Sequence, residues 1–204
     1  MATSEYSYLV SRVGKLQKAL LPRSKSPTGS YRDSVYERTR AFKVLICSEI
    51  EFYFEQACST IAVKAYDTWD KRGTSSSPLL ALSAYHIGGS AATPDQKNGN
   101  RSEHSFQKRI KDSYSGFRSK ISDNNGIKES NILGLLLPIG VTEDQIPDDL
   151  LIALNNYGGA RCLIAHSTRA QQKLSPDDAE SEVDNILRLL TPLDALLEMI
   201  TTSL

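Results

Sequence analysis

Apolar residues recur along this chain every three or four positions, and no segment alternates apolar and polar residues long enough to make a strand. Residues 5–21 read as a first amphipathic helix, ended by Pro22, and the stretch SKSPTGS that follows is a linker by composition. From about Tyr31 to Lys71 the chain stays free of proline and glycine, and Phe42, Ile46, Ile50, Tyr53, Phe54 and Ile61 track one broad face. So long a helix predicts the spine of a bundle. A weaker region follows at about 72–102, where LLALSAYH reads as one or two helical turns inside a flexible insertion.

Helical periodicity returns from Glu103 to about Ser122 in a basic amphipathic segment, which DNNG breaks. SNILGLLLPIG then reads as a short apolar helix. Two late helices carry start signals: Thr142 with Gln145 as a capping box before Pro147, and Ser175 as N-cap to Pro176 with Asp177 and Asp178 in the first turn. The last helix shows an apolar stripe from Val183 to Ile200. The expected architecture is all-α, with an N-terminal helix and linker over 1–30 and a helical domain over 31–204.

Composition narrows the class. With 204 residues, 40% hydrophobic and 24% charged, the chain can bury a core without a metal or a disulfide. Its longest apolar run, Ile132 to Leu137, is far short of the ~18 residues of a membrane span. Cys47, Cys58 and Cys162 show no CxxC spacing, and the N-terminus lacks the apolar block of a signal peptide. A cytoplasmic chain with no membrane association is therefore expected. Lys plus Arg equals Asp plus Glu at 24 each, so no bulk attraction to polyanions follows. The charges are unevenly placed, however: residues before 45 and the 108–120 stretch are basic, and the C-terminal third is acidic.

Chemistry is sparse. His86 and His104 have no partner at metal-ligand spacing, and the chain lacks HExxH, a phosphate loop and GxSxG, so neither metal nor cofactor is expected. His166 stands apart, five residues after Arg161 in NNYGGARCLIAHSTR. Gly158, Gly159 and Ala160 just before it would be odd in a helix unless another backbone or a ligand approaches there. Five residues turn a helix by about 500°, which sets Arg161 and His166 roughly 140° apart and about 7.5 Å along the axis. Two such helices meeting across a two-fold axis would bring two arginines and two histidines to one cleft. On the residues alone, an interhelical structural pair is the competing reading. Glu49, Glu51 and Glu55 read as the polar side of the spine, with an orienting role toward His166 as the alternative.

RCLIAH matches the RxxxxH motif of HEPN domains. Together with AFKVLICSEIEFYFEQACSTIA and NNGIKESNILGLLLPIG, in that order, the chain from about Arg40 onward resembles the RiboL-PSP-HEPN branch. The resemblance implies a homodimeric, metal-independent endoribonuclease, a toxin or antiviral defence effector acting on RNA and open to a regulatory or antitoxin protein. It implies His166 as general base or acid and Arg161 as the charge stabiliser. Arg169, one turn on, is a candidate for a flanking phosphate. Two positions depart from the pattern. Cys162 stands where many active members have a polar residue, often Asn; Thr168 stands where members silenced by a nucleotidyltransferase antitoxin tend to have Tyr. A non-catalytic HEPN-like module that binds RNA or a protein partner is the alternative.

Overall fold

The computed structural model describes residues 2–86, 105–166 and 173–204, without the side chains of Cys162, Leu163, Ala165 and His166. Seven α-helices are present among them and no strand: α1 Ser4–Leu20, α2 Asp33–Arg72, α3 Ser77–His86, α4 Phe106–Ser122, α5 Glu129–Leu136, α6 Asp148–His166 and α7 Pro176–Thr202. Short 3₁₀ turns at Leu137–Ile139 and Glu143–Gln145 join α5 to α6. No helix among the described residues is long and apolar enough to cross a membrane.

Forty residues of α2 make a rod about 60 Å long. Its uninterrupted helix-compatible sequence explains the length, and Gly73 explains the end. Gly73 takes a left-handed φ of 69°, open to glycine at little cost, and donates its N–H to Trp69 O at 2.7 Å. Every other α-helix packs on this rod. The buried side of α2 carries Phe42, Ile46, Ile50, Phe54 and Ile61, all essentially without exposure. Leu9, Val13 and Leu16 of α1 enter the same core as Leu150 and Leu154 of α6 and Val183, Leu190 and Leu197 of α7. The first helix is therefore an integral layer of the bundle.

Most predicted ends fall where their local chemistry puts them. Thr3 caps α1 by accepting from Tyr6 N at 3.0 Å, and Ser175 caps α7 ahead of Pro176. Gln145 Oε1 accepts from Thr142 N at 2.9 Å, but this box closes only the 3₁₀ turn. Pro147 disfavours a helical Ile146, so α6 starts afresh at Asp148. Within the stretch expected to be an insertion, Ser77–His86 is a ten-residue helix with Leu79 and Leu82 buried, longer than the one or two turns expected. Residues 87–102 lie outside the described residues.

The two described cysteines are both core hydrophobes of α2. Burial pushes the Cys47 thiol up to about 11, opposed by the nearby charge of Arg161, and burial raises Cys58 as well. Neither thiol is therefore expected to react with iodoacetamide at pH 8 in the folded chain, and both should react in urea. Prompt modification of Cys47 or Cys58 without denaturant, read by mass spectrometry, would contradict this packing.

Candidate functional site

The site is built on the second half of α6. Leu150, Leu154 and Tyr157 form its buried face, and Arg161 follows one turn after Tyr157 on the same side. Arg161 thus runs into the seam between α6 and the spine, close enough to Cys47 for its charge to act on that thiol. Its Nε is buried and has no hydrogen-bond partner among the described residues. The Tyr157 hydroxyl, four residues earlier, is in the same condition. Burial, Cys47 and Glu182 together raise the pKa of that phenol, so it stays protonated and able to donate.

Two further cations reach this seam from α2. Lys43 is only 3% exposed; its Nζ donates to Glu182 Oε2 of α7 at 2.5 Å and lies 4.8 Å from the centre of the Tyr157 ring. Arg40 extends Nη2 to within 3.5 Å of Ile164 O, near the end of α6, with Glu37 at 3.9 Å. The junction of α2, α6 and α7 therefore gathers Arg40, Lys43 and Arg161, and Lys43 already engages Glu182. Such a place favours an anion: fixed positive charge, restricted solvent, and an Arg161 Nε and Tyr157 hydroxyl unmatched among the described residues. Lys43 and Tyr157 were not among the candidates read from the chain. A lysine in register with the apolar positions 42, 46 and 50 of the spine was the signal available.

The structure treats the other candidates differently. His166 is the last residue of α6, and its side chain lies outside the described residues, as do Arg169 and His104. His86 ends α3, its ring 5.4 Å from that of Phe117; burial and then Lys120 lower its pKa. That is a packing role. Glu49, Glu51 and Glu55 are occupied elsewhere. Glu49 takes Arg12 of α1 at 2.6 Å, Glu51 accepts the Gly126 N–H, and Glu55 accepts from Asn124 Nδ2 at 2.9 Å. Two spine carboxylates thus fasten the DNNG break between α4 and α5. No cluster of His, Cys, Asp or Glu able to hold a metal occurs among the described residues.

No protein-family model matches this chain, and neither does any curated protein or solved structure.

The paired glycines of α6 have opposite surroundings. A Cβ at Gly158 would meet Ile127 Cγ1 at 3.3 Å and Lys128 Cγ at 3.5 Å, so the missing side chain lets the 127–128 segment close on the helix. At Gly159 nothing among the described residues lies within 4 Å, and Ile152, two turns earlier on that side, is 57% exposed. Gly159→Ala is expected to stabilise the monomeric fold by about 1 kcal/mol through helix propensity. Gly158→Ala should gain much less or lose stability, because buried Ile127 must yield. Urea titration of both variants compares them directly. An equal gain at both positions would mean that Gly158 is not a packing contact.

Proposed function

We propose that this chain is a HEPN-type, metal-independent endoribonuclease, acting as a dimer in a toxin or antiviral defence role. The observation that supports this most is the seam around Arg161. The arginine of the RxxxxH motif lies near Cys47 of the spine, its buried Nε unmatched among the described residues, on the helix whose Tyr157 meets Lys43 and whose Ile164 meets Arg40. The three sequence blocks that carry the HEPN resemblance also contribute α2, α5 and α6, which pack on one another.

In this reading a neutral His166 takes the proton of a ribose 2′-hydroxyl. The 2′-oxygen attacks the adjacent phosphorus, and the 5′-oxygen leaves with a proton supplied by an imidazolium, that of the partner copy in a symmetric cleft. Arg161 holds the non-bridging oxygens as their charge rises. The products are a 2′,3′-cyclic phosphate and a free 5′-hydroxyl. DNA, lacking the 2′-hydroxyl, is spared. The copies meet along the C-terminal half of α6, so that both motif pairs line one cleft.

The test is incubation of the purified protein with a mixed RNA pool in EDTA, beside Arg161→Ala/His166→Ala. Cleavage by the unmodified chain alone, with cyclic phosphate ends, is the expected result. Equal cleavage by the double variant would assign the activity to a contaminant. One departure favours a second reading: Cys162 stands where many active members have a polar residue. RNA binding by a folded dimer without cleavage would favour that non-catalytic module.

A further inference from the structure

We propose that the outward face of α4 is a binding track for the backbone of single-stranded RNA. The inference rests on the reading of the chain as an RNA-directed protein, whether it cleaves or only binds. It starts from charge. The chain as a whole is neutral, but α4 places five cations against one acid, Asp112, in 17 residues. Lys108, Lys111, Ser115, Arg118, Ser119 and Ser122 are all exposed and fall within about 100° of the helix surface. Every polar group on this strip can donate to a phosphate oxygen. Asp112 lies at its edge, its carboxylate 3.9 Å from Lys108 Nζ, too far for a firm pair. Ser115, Arg118, Ser119 and Ser122 line a shallow groove of about 300 Å³.

One ring borders the strip. Tyr114 stacks on Tyr66 of the spine, centroids 4.4 Å apart and planes 9° from parallel, and Arg118 lies 5.9 Å from the Tyr114 ring. Phe106 lies on the opposite, spine-facing side of α4, its ring edge-on to Trp69 at 5.9 Å. Cations at 108, 111 and 118 with hydroxyls at 115, 119 and 122 suit the repeated phosphates of a single strand.

From Lys108 to Ser122 the strip runs about 21 Å, enough for the roughly four nucleotides at the lower end of single-strand site sizes. The stretch of spine beneath α4, around Tyr66, lies about 28 Å along α2 from Cys47 and the Arg161 seam. One strand held on α4 and cut at α6 would have to span that length, so very short oligonucleotides should be poor substrates.

The test uses a fluorescein-labelled 12-nucleotide single-stranded RNA with 2′-O-methyl riboses, which cannot undergo 2′-hydroxyl attack, so binding is read apart from cleavage. Lys108→Glu/Lys111→Glu/Arg118→Glu is compared with Lys15→Glu/Lys18→Glu/Arg23→Glu, which changes the net charge equally on exposed residues elsewhere. The α4 triple is expected to weaken binding about 100-fold at low salt and to flatten the logarithmic salt dependence by about two, while the control triple changes binding only a few-fold. Equal binding by the α4 triple and the control triple would overturn the proposal. So would absence of binding by the unmodified chain, or polyglutamate competing as well as RNA. Loss of binding in the α4 triple from a chain that never cleaves RNA would keep the track and remove the nuclease. Cleavage abolished by Arg161→Ala/His166→Ala, with RNA binding indifferent to α4, would do the reverse.

Discussion

Asp194→Ala is expected to destabilise the protein by about 3–5 kcal/mol. Asp194 lies in α7 at 2% exposure, with its carboxylate surrounded by protein. Thr3 donates to it twice, from its backbone N at 3.0 Å and its hydroxyl at 2.6 Å, and Tyr53 donates from α2 at 2.9 Å. Two segments distant in sequence therefore share one acceptor on a third. Hydrogen bonds to a charged acceptor contribute about 1.5–3 kcal/mol each at most, and a buried donor left behind costs a further ~1–3 kcal/mol. Alanine would strand the Tyr53 hydroxyl, which is only 1% exposed, and the Thr3 N–H as well. Thr3 also caps α1, accepting from Tyr6 while it donates to Asp194, so loosening one bond loosens the entry of the first helix. Tyr53→Phe removes a donor but leaves the charge with both Thr3 bonds; about 1–2 kcal/mol is expected. Urea unfolding of the two single variants and their double closes a cycle. A coupling near zero, or an Asp194→Ala cost under ~1 kcal/mol, would mean that the N-terminus is not held in this way.

RNA cleavage by His166→Ala is expected to fall about 10²–10⁴-fold, the contribution usual for a positioned acid or base. Arg161→Lys should fall about 10²–10³-fold although it keeps the charge, because an ammonium cannot pair two phosphate oxygens in one plane. The two should part in stability. His166 ends its helix, and its loss is expected to leave the urea midpoint close to that of the parent. Arg161 is packed in the seam beside Cys47, so Arg161→Ala should unfold earlier by about 1–2 kcal/mol. Single-turnover cleavage in EDTA and urea titration on the same preparations give both readouts. Full cleavage by the His166 variant would sink the assignment of that residue. A stability loss at Arg161 with no change in cleavage would make it a structural arginine.

Local signals carried far in this chain. The spine was bounded to within two residues at each end because a run without glycine or proline continues a helix and Gly73 stops one. Ser175 with Pro176 marked the start of α7, and the acids beside them complement the helix dipole. Where local signals fell short, the missing information was a contact. The 77–86 segment is apolar without a clear period, so only its burial against α2 and α4 makes it a stable helix. Asp194 sits among the apolar residues of α7, and nothing near it in sequence says which donors it will meet.

The motif itself divides in the same way. Arg161 and His166 were legible as a pair from five residues of spacing, and the helix that carries both is present as expected. That Arg161 faces the spine next to Cys47, and that Lys43 and Arg40 meet Tyr157 and Ile164 of the same helix, depended on residues more than a hundred positions apart. Glu49, Glu51 and Glu55, legible only as a polar face, turned out to tie down α1 and the DNNG break. By itself the sequence determined the all-helical class, the length of the spine and most helix ends, because propensity, capping and proline act within a few residues. The tertiary structure decided which charges are buried, which are paired and which face outward, because solvation and pairing depend on what the fold brings alongside.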